Sequence, residues 1–150
     1  MALTVRDPDF EARVRASFAK QTFMATLGAR LASIVPGEVT IALPYRADLA
    51  QQHGFLHAGV VTSVVDSACG YAALTLMEPG AAVLSVEFKV NLLAPAAGRE
   101  FLATGRVVRA GRTITVCSGD LRALDDGDGV VVAVLQGTMM SVRDKVGLSD

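Results

Sequence analysis

The sequence contains no tryptophan, and aromatic residues make up only 5% of its 150 positions. Charged residues account for 19%, below the quarter that is usual for globular domains. No apolar run approaches the roughly 18 residues that a membrane-spanning helix needs, which excludes such a segment. Hydrophobic residues, mostly small and aliphatic, nevertheless make up 51% of the chain. A chain of this composition buries enough surface to fold, so disorder is also excluded.

The charges are few and nearly balanced. The formal net charge is −1, and the only lysines are Lys20, Lys89 and Lys145. Nucleic-acid binding depends on clustered lysine and arginine, so we expect no nucleic-acid partner and no polybasic patch for a membrane. So much aliphatic surface with so little charge favours a homo-oligomer, in which copies of the chain bury surface against each other.

Cysteine is also scarce. Cys69 and Cys117 lack the paired spacing of a metal site, and we interpret both as small core residues. No metal and no cofactor are predicted. Arg6, Asp7 and Asp9 stand where an export signal would need apolar residues, so we expect a reduced, cytoplasmic setting.

The order of helical and strand patterns predicts one α+β domain. A helix start at 7–9 and apolar residues at a spacing of four predict a helix to about residue 20. A longer, almost uncharged helix is predicted at about 58–76. Strand patterns separated by short turns imply antiparallel pairing; they fall at 29–35, 38–43, 82–93, 99–108, 113–123 and 130–142. We therefore predict a curved antiparallel sheet of about six strands wrapped around one central helix, with an extra N-terminal helix.

A helical wheel separates the long helix into two faces. The first is apolar and suits the concave side of a sheet; its residues are Val60, Val61, Val64, Val65, Ala68, Tyr71 and Ala72. The second is small and polar; its residues are Gly59, Thr62, Ser63, Asp66, Gly70 and Ala73. Such a face allows a ligand or a partner helix to come close.

Asp66 is the one charge on this helix, and burying an unpaired carboxylate is costly. One interpretation is a hydrogen-bonded carboxylate at a subunit contact. The other is a general base or nucleophile, since such surroundings make a carboxylate reactive. Residues 51–59 run directly into the helix start, where backbone N–H groups without a helical partner can hold an oxyanion.

The spacing of these features indicates how a site could form. His57 and Asp66 are nine residues apart, which separates them by about 12–14 Å along a helix axis. One acyl carbon cannot touch both within a subunit. An antiparallel partner helix would bring one subunit's Asp66 beside the other's helix start, so the spacing favours a site shared across a dimer.

This segment resembles the signature of hotdog-fold acyl-CoA thioesterases of the phenylacetate-degradation type. That signature is a polar amide residue, Gly-x-x-His-Gly-Gly, and an acid nine residues after the histidine; the residues in register are Gln51, Gly54, His57, Ala58, Gly59 and Asp66. The resemblance also includes Ser85 and covers roughly 25–142. It implies an N-terminal helical extension at 1–24, a hotdog thioesterase domain at 25–142 and a C-terminal tail at 143–150.

The resemblance implies hydrolysis of acyl-CoA thioesters, in a homodimer or a dimer of dimers. Asp66 would be the general base or nucleophile. The Ala58 N–H, assisted by Gln51, would polarise the thioester carbonyl. His57 would be structural or orienting, and Ser85 would assist the water or the acid.

Substrate contacts are expected on the small face and at one hairpin. Gly59, Thr62 and Ser63 would lie beside the substrate. Arg109 and Arg112 flank a hairpin glycine and could meet the phosphates of coenzyme A. Hairpin tips are also charged simply because they are solvated, so both interpretations of the arginines stay open.

The sequence departs from the family pattern at two positions. Ala58 replaces the first glycine after the histidine but keeps its N–H, and Gln51 replaces the commoner asparagine with one more methylene. His53 is an additional histidine, which we interpret as a solvated loop residue, with a substrate contact as the alternative. The acidic segment at 125–129 lacks the remaining ligands of a calcium loop and is interpreted as a turn.

Two other functions are weighed against hydrolysis. A hotdog hydratase or dehydratase would use His57 with Asp66 as a proton-shuttling pair on one substrate carbon. A non-catalytic acyl-CoA-binding protein would need neither residue for chemistry. The glycine-rich turn after the histidine favours the hydrolase.

Overall fold

The computed structural model describes residues 3–125, 129–148 and 150. The helices and strands in chain order are α1 (Phe10–Lys20), α2 (Thr22–Leu27), β1 (Arg30–Val35), β2 (Glu38–Pro44), α3 (Ala58–Leu74), β3 (Ala82–Leu92), β4 (Glu100–Ala110), β5 (Ile114–Leu124) and β6 (Val130–Val142). A single 3₁₀ turn, Ala47–Leu49, interrupts the long loop before α3. The predicted acidic turn at 125–129 includes 126–128, which lie outside the described residues.

The six strands form one antiparallel sheet in the order β1-β2-β4-β5-β6-β3. The long helix α3 packs against β2, β3, β4, β5 and β6, and its apolar residues join those of the strands in one core. The predicted α+β architecture, with one long helix held against a six-stranded antiparallel sheet, is confirmed.

A pair of glycines allows α3 to lie directly on the sheet. Gly105 of β4 is paired with Gly119 of β5. A Cβ on Gly105 would lie under 3.0 Å from backbone atoms of Ala68 and Cys69, and a Cβ on Gly119 would lie 2.8 Å from the Cys69 Sγ. The helix backbone therefore rests on the strand backbone at this point, with no side chain between them.

The burial of α3 agrees with the helical wheel along most of its length. The apolar face is buried except for Val60, which is half-buried. Ala73, placed by the wheel on the small polar face, is instead fully buried, as is Cys69. Ala73 is buried because α1 packs against the last turn of α3 on its small polar face.

Arg13 attaches α1 to the end of α3 through specific hydrogen bonds. Its guanidinium donates hydrogen bonds to the carbonyls of Leu74 (2.9 Å), the last residue of α3, and of Met77 (3.3 Å) and Glu78 (2.8 Å), which follow the helix. It also pairs with Asp7 at 2.8 Å, and both side chains are at most 10% exposed. Because the carbonyls at the end of a helix lack the partners of those in its middle, Arg13 adds donors where they are few and ties α1 to the end of α3.

A second short helix follows the predicted N-terminal one. The chain turns at Gln21, where the backbone is extended (ψ 90°), and resumes as α2. Gly28 ends α2 with φ +73°, a left-handed conformation that favours glycine. With only six residues, α2 is too short for its buried Met24 and Leu27 to give a periodic pattern.

Strand β3 forms an edge of the sheet and carries an exposed apolar surface. Leu84, Val86, Phe88 and Leu92 are each between 42% and 55% exposed. Within the described part of the chain β6 is the one strand that pairs with β3, so one row of β3 backbone groups has no strand partner there. Among the described residues, no helix is both long and apolar enough to cross a membrane.

Candidate active site

Asp66 lies near the middle of α3 and faces the edge strand β3. The Ser85 hydroxyl donates a hydrogen bond of 2.8 Å to the Asp66 Oδ1. Ser85 is paired with the buried Met139 of β6, which places both on the side of the sheet that holds α3. The predicted neighbours Asp66 and Ser85 are therefore brought together, although they are 19 residues apart in the chain.

The carboxylate opens into a cleft of about 360 Å³, which we call the Asp66 cleft. Its lining residues come from α1, the α1–α2 junction, α3, β3 and the C-terminal segment; they are Ser17, Lys20, Gln21, Asp66, Ser67, Gly70, Tyr71, Val83, Ser85 and Asp150. A Cβ on Gly70 would meet nothing within 4 Å. The cleft therefore has room for a ligand directly beside the carboxylate.

Burial changes the chemistry of Asp66. Partial removal from water raises the pKa of this carboxyl above its usual range, and the Ser85 hydrogen bond lowers it in part. Burial disfavours the charged form, whereas a donor to the carboxylate favours it. Asp66 is thus a stronger proton acceptor than a surface aspartate, and it is held in one orientation.

His57 begins α3 as its N-cap residue. The Gly59 N–H donates to the His57 Nδ1 at 2.8 Å, and the His57 carbonyl accepts from Val60 (2.9 Å) and Val61 (3.2 Å). A Cβ on Gly59 would stand 3.0 Å from the His57 Nδ1, so glycine leaves room for this cap. The N–H of Ala58 has no acceptor among the described residues and is the free donor at the helix start.

Gln51 lies in the loop that leads to this helix start. Its Oε1 accepts a hydrogen bond from the His53 N–H, which fixes the amide and leaves its NH₂ group as a donor. Gln51 and Ala58 both line a second cleft of about 510 Å³, which we call the helix-start cleft. The remaining walls of that cleft are mainly apolar; they are Phe55, Leu56, Val61, Leu92, Leu93, Ala94, Pro95, Ala96 and Val132.

The two clefts are separate within one subunit. Asp66 and Ser85 line one, and Gln51 and Ala58 line the other. Eight residues of helix separate Ala58 from Asp66, a distance of about 12 Å along the axis. The structure thus brings the predicted site residues together in two pairs and keeps the pairs apart.

The predicted substrate contacts on α3 lie along the same side of the helix. Thr62 and Ser63 are half-buried, and Gly59 is exposed. The Ser63 hydroxyl donates to the Gly59 carbonyl at 2.7 Å, so it is already satisfied within the helix. The surface of α3 between the two clefts is therefore formed by short side chains that do not project far from the helix.

The two hairpin arginines lie away from both clefts of the subunit. Arg109 is exposed and lines a groove with residues of the N-terminal segment, including Leu3 and Arg6. Arg112 is exposed on the hairpin itself, where its carbonyl accepts from Arg143 at 2.5 Å. Neither side chain contacts Asp66 or the helix start within the same subunit.

Neither cysteine is placed for chemistry. Cys69 and Cys117 are completely buried, and burial raises the pKa of both thiols. A buried neutral thiol is a poor nucleophile, so their assignment to the core is confirmed.

His53 is exposed in its loop, as expected for a solvated residue. The described residues contain no group of three or more side chains arranged to hold a metal ion.

Sequence reasoning missed the far wall of the Asp66 cleft. Ser17, Gln21 and Asp150 line it together with Tyr71, which the wheel had assigned to the core. The side chains of Gln21 and Tyr71 are 3.4 Å apart, with the phenol donating to the Gln21 Oε1. Nothing in the local sequence marks these residues, because each reaches the cleft from a different element.

One long helix against a six-stranded antiparallel sheet, with a serine-bound carboxylate at mid-helix and a free N–H donor at the helix start, defines a hotdog-fold hydrolase. The chain belongs to the thioesterase superfamily, whose family model matches residues 53–130. A candidate esterase of Saccharolobus solfataricus is 30% identical over 120 residues, which are 80% of this chain and 83% of that protein.

Solved structures agree with this assignment. A thioesterase family protein from Silicibacter pomeroyi is 51% identical, with a TM-score of 0.88 over 89% of this chain and 98% of that one. The PaaI protein of the phenylacetic acid degradation operon of E. coli has a TM-score of 0.82, over 97% of this chain and 99% of that one. At 20% identity, PaaI shares the fold. The chain is a thioester hydrolase of the PaaI-like hotdog type.

Proposed function

We propose that the chain hydrolyses acyl-CoA thioesters to a free acid and coenzyme A, with Asp66 as the reactive carboxylate. The observation that carries the proposal is the hydrogen bond from Ser85 to Asp66 at the wall of an open cleft. Partial burial makes the carboxylate basic, and the cleft gives a substrate access to it. A thioester carbonyl beside Asp66 would meet an oriented proton acceptor.

Two mechanisms are open to the Asp66 carboxylate. As a general base, Asp66 takes a proton from water while the water oxygen bonds to the carbonyl carbon. The C–S bond then breaks, and the proton passes to the departing thiolate. As a nucleophile, Asp66 itself bonds to that carbon and expels the thiolate, and water hydrolyses the resulting anhydride. Ser85 orients the carboxylate in either course.

The oxyanion that forms on the carbonyl oxygen needs hydrogen-bond donors. The free Ala58 N–H at the positive end of α3 and the Gln51 amide have the right chemistry. Their distance from Asp66 along one helix is too great for a single carbonyl group. We therefore assign each active site to one subunit's Asp66 and the helix start of its partner.

The surface of the subunit supports such a pairing. The edge strand β3 carries exposed apolar side chains and, among the described residues, a row of backbone groups without a strand partner, and Gly70 leaves open space beside Asp66. Edge-to-edge pairing of β3 would cover this surface and set two α3 helices side by side, with dimers or dimers of dimers as the result. In such an assembly we assign Arg109 and Arg112 to the phosphates of coenzyme A.

Replacing the reactive carboxylate tests the function. Asp66→Asn keeps the shape of the side chain and should lower kcat for acyl-CoA hydrolysis by about 10²–10⁴-fold while acyl-CoA still binds. Asp144→Asn, at an exposed aspartate outside both clefts, is the matched control and should retain full turnover. Near-native kcat in the Asp66 variant would overturn the assignment.

Complementation between subunits tests the shared site. Asp66→Asn and Gln51→Ala subunits, each impaired alone, are co-expressed with different tags, and the mixed dimers are purified through both tags. In a mixed dimer one of the two sites regains an intact Asp66 and an intact helix start. Partial recovery of activity is expected, and confirmed mixed dimers without recovery would refute sharing.

A further inference from the structure

The carboxylate of Asp150 reaches the Asp66 cleft from the C-terminal segment. Its Oδ1 accepts a hydrogen bond of 2.9 Å from the Ser17 hydroxyl, and its Oδ2 accepts one of 2.7 Å from the Val83 N–H. Ser17 belongs to α1 and is 8% exposed, and Val83 is the second residue of β3. Asp150 thus connects two opposite walls of the cleft and is fixed between them.

The charge of Asp150 acts on the interior of this cleft. Burial raises the pKa of Tyr71, a hydrogen bond with Ser17 lowers it in part, and the negative charge of Asp150 adds a smaller increase. The Tyr71 phenol therefore stays protonated. Among the described lining residues, the cleft has two carboxylates, Asp66 and Asp150, and one cation, Lys20. Its remaining polar groups are neutral.

This charge pattern decides which part of the substrate the cleft accepts. Two carboxylates in one cleft would repel the phosphates of coenzyme A. Since the proposed reaction also places the thioester carbonyl beside Asp66, we assign the acyl group to this cleft. An acyl group that itself ends in a carboxylate would bring a third negative charge into the same partly buried volume.

We infer that Asp150 is a specificity-determining residue, which makes the cleft select neutral acyl groups and reject those that end in a carboxylate. The inference rests on the proposed acyl-CoA hydrolysis and adds the substrate class. Repulsion between like charges a few ångströms apart in a partly buried cleft corresponds to a discrimination of about tenfold or more in kcat/KM.

A matched substrate pair measures this discrimination. Valeryl-CoA and glutaryl-CoA have acyl chains of the same number of carbons and differ in the terminal carboxylate. The ratio of kcat/KM for glutaryl-CoA to that for valeryl-CoA should be low in the wild type. Asp150→Asn, which removes the charge but keeps the shape, should raise this ratio by about tenfold. Asp150→Glu should keep it low.

Two further variants separate charge from structure. Ser17→Ala removes one hydrogen bond to Asp150 but leaves its charge and its bond from the Val83 N–H, so the ratio should rise less than in Asp150→Asn. Asp144→Asn removes an exposed carboxylate of the same C-terminal segment and should leave the ratio unchanged. Raising the salt concentration should increase the wild-type ratio, because screening weakens the repulsion, and this measurement does not depend on the folding of any variant.

The outcomes are distinct. An unchanged ratio in a folded Asp150→Asn protein, or no effect of salt on the wild-type ratio, overturns the inference. An equal rise in Ser17→Ala overturns it as well, because the effect would then be structural. Failure of the wild type to hydrolyse any of a panel of aromatic, short-chain and medium-chain acyl-CoAs would instead contradict the proposed acyl-CoA hydrolysis. Asp66-dependent hydrolysis with an unchanged ratio would leave that function in place.

Discussion

The contact between α3 and the sheet predicts a large cost for a single added methyl group. In Gly105→Ala the new Cβ would lie under 3.0 Å from backbone atoms of Ala68 and Cys69. Backbone atoms in the middle of a helix cannot turn away as a side chain can. The whole of α3 would have to move by roughly 1 Å to restore normal contact distances.

We expect Gly105→Ala to lower the free energy of unfolding by about 3 kcal/mol, the upper part of the range for overpacked cores. For a chain of this length that is a fall in Tm of roughly 6–12 °C. In Gly119→Ala the new Cβ would lie 2.7 and 2.8 Å from side-chain atoms of Val65 and Cys69. Side chains can shift more easily than a helix backbone, so a smaller loss of about 1 kcal/mol is expected.

Gly70→Ala is the matched control within the protomer, because a Cβ there meets nothing within 4 Å. Alanine favours a helix over glycine, so a gain of about 0.5–1 kcal/mol is expected. Chemical denaturation at one fixed protein concentration measures all three variants, since oligomers unfold in a concentration-dependent way. A Gly105→Ala protein within about 0.5 kcal/mol of the wild type would refute the close approach of helix and sheet.

Three other predictions concern charged groups. Ser85→Ala removes the hydrogen bond that lowers the pKa of Asp66, so the acid limb of the kcat/KM profile should move to higher pH; an unmoved limb would contradict it. Because the folded-state pKa of Asp66 lies above its unfolded value, ionisation destabilises the fold. Asp66→Asn should therefore be more stable than the wild type at neutral pH, and the gap should close as pH falls below the usual range of aspartate. Arg13→Ala leaves the buried Asp7 carboxylate without its cation and removes one donor from three carbonyls, and it should lower the free energy of unfolding by about 3–5 kcal/mol. Arg13→Ala combined with Asp7→Ala should cost less than Arg13→Ala alone, and an equal or larger loss in the double variant would count against the buried pair.

Local patterns in the sequence were sufficient for most of the fold. Turn residues separate the strands, and the almost uncharged segment at 58–74 is typical of a helix enclosed by a sheet. The end of that helix was predicted too late, at about 76. The Thr75 hydroxyl donates to the Ala72 carbonyl and accepts from the Gly37 N–H, and these contacts depend on the β1–β2 turn.

The candidate site was predictable where its residues lie on one element or match the family resemblance, as Ser85 of β3 does. Asp66 stood out because it is the single charge on α3, and the segment from Gln51 to Gly59 stood out through its family signature. Gln21 and Asp150 reach the same cleft from opposite ends of the chain, and no periodicity connects them. Ala73 was misplaced for a related reason, because a wheel shows which residues share a face but not which neighbours cover it.

The attachment of α1 through Arg13 has a practical consequence for work with this protein. A shortened form that begins after α1 would expose the carbonyls of Leu74, Met77 and Glu78, and Asp150 would lose its Ser17 hydrogen bond. The same shortening would remove Ser17 and Lys20 from the wall beside Asp66. Assays of substrate preference should therefore use a chain with α1 intact, since a trimmed protein would have a wider and differently charged cleft.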